Sequence, residues 1–500
     1  MAFINNHSYL DTPTFRGMRS SLLKTFDDIF VLDLHGNNKK KEQSPDGSID
    51  KNVFDIQQGV AIGLFIRDKL RNINKGQVVK KADLWGSRDS KYEWLLNNHV
   101  NTTHWEYLNP PSPFYVFAAG SNESIRVEYE SLWGINKIFK EGVVGIQSSR
   151  DHFVFDFDSQ PLLDRIKEFS DSIISDEAIR NKYFKGKGSS KYLDGDTRGW
   201  KMVEARRLVR QDEDWSERVI SCLYRPFDNR SLYYAEWMLD WSRSDVMAHM
   251  IDHENLALIT NRSLETRQGW KHVFCSDQVI QNHSVSIKEG NYLFPLFLHH
   301  KSRQNNSLKF SESKESNISS GFMAFVEEKL GFRPMPKNLF YYIYSVLHSP
   351  EFRSRYTDLL QIDYPRIPVT QNPELFTCLS GYGEKLAEVH LFKSDKLQPK
   401  ATTFLEGRDL AFIVDPGHPK YANGKVTINK RGAGFTGVPQ EVWEFYVGGY
   451  QVCHKWLKDR KGRTLSDNDI LHYQKIIVAL QETIRIMQQI DDAIPSWPIE

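Results

Sequence analysis

The chain has 500 residues, 40% of them hydrophobic and 13% aromatic, which is enough for two or three domains with real cores and excludes bulk disorder. No run of about eighteen apolar residues occurs, and the amino end has no basic segment followed by an apolar one, so neither a membrane span nor a secretory signal is expected. A net charge of +1 places any nucleic-acid contact in local patches, and the widely spaced Cys222, Cys275, Cys378 and Cys453 exclude a zinc ribbon and point to a reducing, cytoplasmic setting.

Residues 1–37 have the pattern of the later part of a nucleotide-type α/β sheet. Ala2-Phe3-Ile4 predicts a buried strand that delivers Asn5-Asn6-His7-Ser8 to the sheet's carboxyl edge. Pro13 opens a helix with Phe15, Met18, Leu22 and Leu23 on one face, Asp28 to Leu34 returns as a second strand, and Gly59 to Ile66 makes a third. The glycine-rich turn that follows the first strand of such a unit is expected upstream, so the function is that of a C-terminal portion. Residues 76–122, rich in Asn, Trp and Pro, predict a connector leaving the sheet. From Asp158 to Phe184 the apolar positions Leu162, Leu163, Ile166, Phe169, Ile173 and Ile174 have helical spacing, and Gly186-Lys187-Gly188-Ser189-Ser190 breaks it.

Between Trp200 and Leu298 short apolar runs alternate with turn residues, as in a mixed α/β region, and the polar stretch His299 to Ser320 is expected to be exposed. Leu339 to Leu347 predicts an aromatic-rich helix, Pro350 the first turn of another, and Asp363 to Pro368 an extended path. Ser466 with Asp469 approximates a capping box for a last helix, along which Ile470, Tyr473, Ile477, Leu480, Ile484 and Met487 form a stripe too short for an intermolecular coiled coil. The boundaries expected are 1–122, 123–185, 186–465 and 466–500.

Several of these stretches resemble one family. Phe3-Ile4-Asn5-Asn6, Leu32-Asp33-Leu34-His35-Gly36-Asn37 and Asn52 to Val60 are similar to the catalytic-domain end of the DNA adenine-N6 methyltransferase part of type ISP restriction-modification enzymes. Gly145 to Asp151, Tyr224 to Arg230, Tyr344 to Pro350 and Trp443 to Asp459 follow in the expected order. The resemblance implies an α/β fold in which the end of a Rossmann-like methyltransferase sheet precedes a large mixed α/β target-recognition region and a C-terminal amphipathic helix. It implies double-stranded DNA as partner, methyltransferase, helicase and nuclease portions upstream, no membrane, a role in phage defence, and S-adenosylmethionine as cofactor of the complete enzyme but not of this chain alone.

An enzyme methylating adenine extrudes the base and holds its exocyclic nitrogen against the methyl donor. In the resembling family an Asn-Pro-Pro-aromatic tetrapeptide does this. The near match Asn109-Pro110-Pro111-Ser112 lacks the ring and follows the sheet strands, so it reads as a stiff connector, and no catalytic residue is assigned. Gly432-Ala433-Gly434-Phe435-Thr436-Gly437 has the glycine spacing of a cofactor loop without the βαβ context, which makes it a turn. By the resemblance, Phe54 lies beside the base pocket.

Arginines interleaved with aromatics are the DNA-binding candidates. Arg206 and Arg210 share a helix face while Arg207 points elsewhere, and the turn-rich Tyr224-Arg225-Pro226-Phe227-Asp228-Asn229-Arg230 projects Arg225 and Arg230 from a loop; the alternative pairs Arg225 with Asp228 and Arg230 with another carboxylate. Asn261, Arg262 and Arg267 join them on a polar loop. The basic runs Lys39-Lys40-Lys41, Lys80-Lys81 and Lys455 to Arg463 read as solvated faces or phosphate contacts. His249 and His253 have the i, i+4 spacing of a two-histidine site but no third ligand, so no metal is expected. Two other readings stay open: a docking module of a defence assembly, and a self-sufficient methyltransferase using Asn109.

Overall fold

A computed structural model describes the chain except for residues 39–41, 43, 68–77, 111–114, 118–122, 188–190, 266–268, 304–309, 399–402, 406–411 and 500. The residues form two units, one of Met1–Val127 with Ser263–Gln268 and Asp358–Asp363, the other of Glu128–Arg262, Gly269–Thr357 and Tyr364–Glu500.

In the first unit, strands β1 (Ala2–Asn6), β2 (Asp28–Asp33), β3 (Val60–Ile66), β4 (Val78–Asp83) and β5 (Glu106–Leu108) build a sheet of order β1-β3-β2-β4-β5. β3 runs antiparallel to β1 and β2, and β4 runs parallel to β2, so β1, β2 and β4 share one carboxyl edge. The apolar run Ile29-Phe30-Val31-Leu32 is buried on both faces, as its central place requires. Ile29 and Val31 pack with Leu22 of helix α1 (Arg16–Thr25), and Leu32 packs with Trp94 and Leu95 of helix α2 (Arg88–Asn97). Lys91 of α2, fully buried, donates to the carbonyls of Leu34 and Lys51, each at 2.7 Å, and pairs with Asp50 at 2.7 Å, which anchors the loops after β2.

Two expectations are corrected here. β1 is an edge strand with Ile4 50% exposed, because β3 covers only one of its sides. Residues 76–122, read as a connector, supply β4, α2 and β5: Lys80 and Lys81 masked the strand pattern, yet Val79 and Lys81 point inward and are buried. In α1, Leu22 is buried as expected, while Phe15 belongs to a 3-10 turn and is 39% exposed.

In the second unit, helix α3 (Ser159–Ser170) buries Leu162, Ile166 and Phe169 but ends at Asp171, leaving Ile173 exposed; the predicted helical run is broken there. After helix α4 (Met202–Gln211), strands β6 (Val219–Arg225) and β7 (Asp228–Tyr233) form an antiparallel hairpin. β8 (Ala257–Asn261) pairs with β9 (Val273–Ser276), β10 (Val279–Ile280) lies parallel to β6, and β11 (Asn291–Pro295) pairs with β8. The polar stretch after Leu298 forms a two-stranded hairpin of β12 (Phe297–Arg303) and β13 (Phe310–Ser316).

Helix α5 (Pro336–His348) leads through Ser349, which caps helix α6 (Pro350–Arg355), to helix α7 (Pro373–His390). Strands β14 (Lys425–Thr427) and β15 (Gly434–Thr436) are antiparallel, so the glycine-rich hexapeptide belongs to a hairpin, with Gly432 and Gly437 at φ of 89° and 74°. The last helix, α8 (Asp467–Ala493), begins with the expected capping box. It packs against α7, α5 and α6 and buries Tyr473, Ile476, Ile477, Leu480, Thr483, Ile486 and Ile490, whereas Ile470, Ile484 and Met487 are only half-buried. With the short helices Gln440–Trp443 and Val452–Lys458 also against it, α8 needs a broader face than the predicted stripe.

Candidate nucleic-acid interface

The β6–β7 hairpin centres on Phe227, a buried residue with φ of 62° whose ring packs edge-on to Phe274 and His390. That anchor turns Asp228 inward. Its carboxylate accepts from Arg230 Nη2 at 2.8 Å and Arg460 Nη2 at 2.9 Å, and Arg230 also reaches Asp459 at 3.3 Å. Burial alone would raise the Asp228 carboxyl, but Arg230 and Arg460 hold it below the usual carboxylate range. Phe157 forms the floor of this cluster, with the guanidinium groups of Arg230, Arg460 and Arg463 within 4.4 Å, 4.7 Å and 4.6 Å of its ring centre.

Arg225 is placed differently. Its Nη1 donates to Gln281 Oε1 at 2.9 Å, its guanidinium lies 4.1 Å from the Tyr224 ring and 5.3 Å from Tyr450, and it makes no pair with Asp228. Tyr224 is itself held by Asp151, which accepts its hydroxyl at 3.0 Å. Arg225 is thus a half-buried cation braced between two rings, preorganised at low entropic cost for a planar acceptor.

On α4 the sequence geometry holds and its meaning reverses. Arg206 and Arg210 do share a face, but that face turns onto the loop after α3. Arg206 is 1% exposed; it donates to the carbonyls of Phe169, Asp171 and Ile174 and pairs with Asp176, so its expected DNA contact gives way to an internal latch. Arg210 is exposed and donates to the Ser170 carbonyl at 2.7 Å. Arg207 faces solvent, paired with Glu204 one turn away.

Asn261 does not lie on a polar loop: it ends β8, is buried, and donates to the Gly290 carbonyl at 3.1 Å. Arg262 is exposed, and Arg267 lies outside the described residues, as do Lys39-Lys40-Lys41 and Pro111-Ser112. Asn109 follows the edge strand β5. Phe54 is 42% exposed, with its backbone held by Asn52. His249 and His253 do not share a helix: His249 sits in a 3-10 turn and accepts from the His299 amide at 3.1 Å, and the His253 ring stacks on His299.

Sequence reading passed over two groupings. Trp241, 55% exposed, carries Arg243 within 4.8 Å of its ring, and Arg243 holds a left-handed φ of 57°. The Trp-Ser-Arg spacing was the available signal. At the carboxyl edge of the first unit's sheet, His7, Asp33, His35, Glu42 and Asp83 converge. Burial opposes charging of His35, but the Asp83 and Glu42 carboxylates hold its pKa above the usual value. Strand pairing brings His7 and Asp83, distant in sequence, to Asp33, His35 and Glu42.

The Type ISP C-terminal specificity domain matches residues 137–489, and the chain belongs to that family. The fold is similar to those of solved structures, three of which show the range. They are the ATP-dependent Type ISP restriction-modification enzyme LlaBIII bound to DNA (TM-score 0.70, 20% identity, 100% of this chain and 33% of that one), a nuclease-deletion mutant of the Type ISP enzyme LlaGI with a DNA substrate mimic (0.64, 19%, 98% and 39%), and the DrdV–DNA complex (0.67, 19%, 98% and 50%). The chain therefore spans a third to a half of the length of these proteins. No curated protein matches it.

Proposed function

We propose that this chain is the DNA-reading portion of a Type ISP restriction-modification enzyme whose complete form methylates adenine N6 with S-adenosylmethionine as part of phage defence in the cytoplasm. The observation that carries this reading is the specificity-domain match over residues 137–489. The first unit adds the end of a methyltransferase sheet, with Phe54 exposed enough to stack on an extruded base. Residues Gly434–Thr436 of the glycine-rich hexapeptide form a strand antiparallel to Lys425–Thr427 and not the strand-to-helix turn that cradles a cofactor, so donor binding is assigned to the rest of the enzyme.

Within the second unit, Arg207, Arg210 and Arg262 are the phosphate-contacting candidates, and Arg225 is the candidate reader of a base edge. Arg230, committed to Asp228 and Asp459, holds the hairpin that presents Arg225. Anisotropy titrations of the full chain with duplex DNA should show affinity falling steeply with salt, with a slope reduced by about one for each phosphate-contacting arginine replaced by alanine. Selection from a randomised duplex pool should yield a motif. Arg225→Ala should then lose roughly 1–3 kcal/mol at that motif and relax one position, while Arg230→Ala should lose folding stability on the order of 3 kcal/mol and keep the motif. Salt-indifferent binding without an enriched motif would replace this reading by the docking module.

A further inference from the structure

We infer that the carboxyl edge of the first unit's sheet holds a divalent transition-metal site whose ligands are His7 Nε2, His35 Nδ1 and a carboxylate oxygen of Glu42. These three residues offer ligand atoms that all lie within 4.8 Å of one another. His7 follows β1 and His35 follows β2, at the ends of parallel strands that present groups to a bound species in open α/β sheets.

The hydrogen bonds around the histidines set their tautomers. His7 Nδ1 lies 3.1 Å from Asp33 Oδ1, which can only accept, so the proton sits on Nδ1 and the Nε2 lone pair faces inward. The Asn37 amide approaches that lone pair at 3.3 Å, a long contact that a metal would displace. His35 Nε2 donates to Asp83 Oδ1 at 2.8 Å, which leaves the Nδ1 lone pair. That atom is buried in a residue 3% exposed and has no hydrogen-bond partner among the described residues. Two carboxylate oxygens lie near it, Asp33 Oδ2 at 3.8 Å and Glu42 Oε1 at 3.9 Å, too long for hydrogen bonds. Two imidazoles, each orienting its free nitrogen by donating the other N–H to a carboxylate, form the outer shell that metal-bound histidines have.

Charge points the same way. Asp33, Glu42 and Asp83 bring three carboxylates together, and Lys81, whose Nζ lies 2.6 Å from Asp83, brings one ammonium. Among the described residues the pocket thus carries more carboxylates than ammonium groups, a balance that favours a divalent cation. Two nitrogens and one carboxylate suit Zn²⁺, Co²⁺ or Fe²⁺ better than Ca²⁺ or Mg²⁺. The cation would tie His35 and Glu42 to His7 at the sheet edge.

The full chain, stripped with a chelator and titrated with Co²⁺, should take up one ion per chain at micromolar concentration and develop visible d–d absorption. His35→Gln and Glu42→Gln should abolish that band, and Asp83→Asn should weaken binding roughly 10–100-fold. X-ray absorption of the Zn²⁺-loaded wild type should show imidazole nitrogens at about 2.0–2.1 Å, a readout that needs no variant and decides the matter if a variant fails to fold. Wild type that takes up no metal, a Zn²⁺ shell without imidazole, or folded Gln variants with wild-type affinity would each overturn the proposal.

Discussion

Arg206 and Arg207 are neighbours in sequence and opposites in the structure. One residue turns an α-helix by about 100°, so the same run of basic residues sends one guanidinium into the protein and the next into solvent. Removing Arg206 takes the donor from the Phe169 and Ile174 carbonyls, at about 1–3 kcal/mol each, while Arg210 still reaches the Asp171 carbonyl at 3.2 Å. Arg206→Ala should therefore destabilise the chain by about 3 kcal/mol or more, whereas Arg207→Ala should stay within about 0.5 kcal/mol of wild type. Urea unfolding of both variants checks this. If Arg206→Ala unfolds at the wild-type midpoint, the latch does not hold α4. Composition could not separate the pair, because both are charged residues in a basic segment; periodicity alone indicated that they point apart, and the packing of α4 against the loop after α3 decided which one is inside.

Helix α7 shows what an element requires of its neighbours. Its Gly381 and Gly383 differ by two residues, yet a Cβ on Gly381 would meet nothing within 4 Å, while one on Gly383 would lie 1.8 Å from the Tyr341 carbonyl oxygen of α5. The two helices cross at that point at backbone distance. Gly381→Ala should stabilise by up to about 1 kcal/mol through helix propensity. Gly383→Ala should destabilise by about 1–3 kcal/mol despite the same propensity gain, since α5 must move away. Thermal melts of the two variants should shift in opposite directions, and a shared direction would mean that α5 and α7 do not meet there. Nothing in the local sequence separates these glycines. By contrast, the start of α8 was legible, because a capping box is made by residues three apart whose geometry is independent of what the helix later touches.

For the second unit as a whole, buried histidines set the response to acid. His390 lies between Tyr344 Oη at 2.6 Å and Thr483 Oγ1 at 2.9 Å. Burial, with a smaller contribution from Arg353, pushes its pKa down from 6.5 to about 3. Burial likewise lowers His272 to about 4. Because these folded-state values are depressed, the unfolded chain binds the extra protons, and stability present above pH 6.5 is lost as the pH falls toward the folded values. Each histidine should cost on the order of 2 kcal/mol between pH 6.5 and pH 5. Denaturation midpoints measured at pH 7 and pH 5 should drop accordingly, with far-UV circular dichroism still native at pH 5 in the absence of denaturant. A midpoint unchanged over that interval would show that neither imidazole is held neutral by burial.

The sequence by itself determined the elements whose signals are local: the apolar run of β2, the turn that separates β6 from β7, the proline-led start of α6, and the cap of α8. Ordered resemblances along the chain also pointed to the family that the specificity-domain match establishes. Tertiary structure alone decided where charge goes. Lysines at Lys80 and Lys81 hid a strand until β2 was there to pair with it, Arg230 became an internal ion-pair partner because Asp228 is turned inward by Phe227, and Asn261 closed a β-strand end instead of lying on a polar loop. The physical reason is range. Backbone propensity and capping act over three or four residues, whereas the partner that satisfies a buried cation or carboxylate can come from anywhere, as Asp228 and Arg460 or His7 and Asp33 do, and is chosen only when packing has excluded water from both.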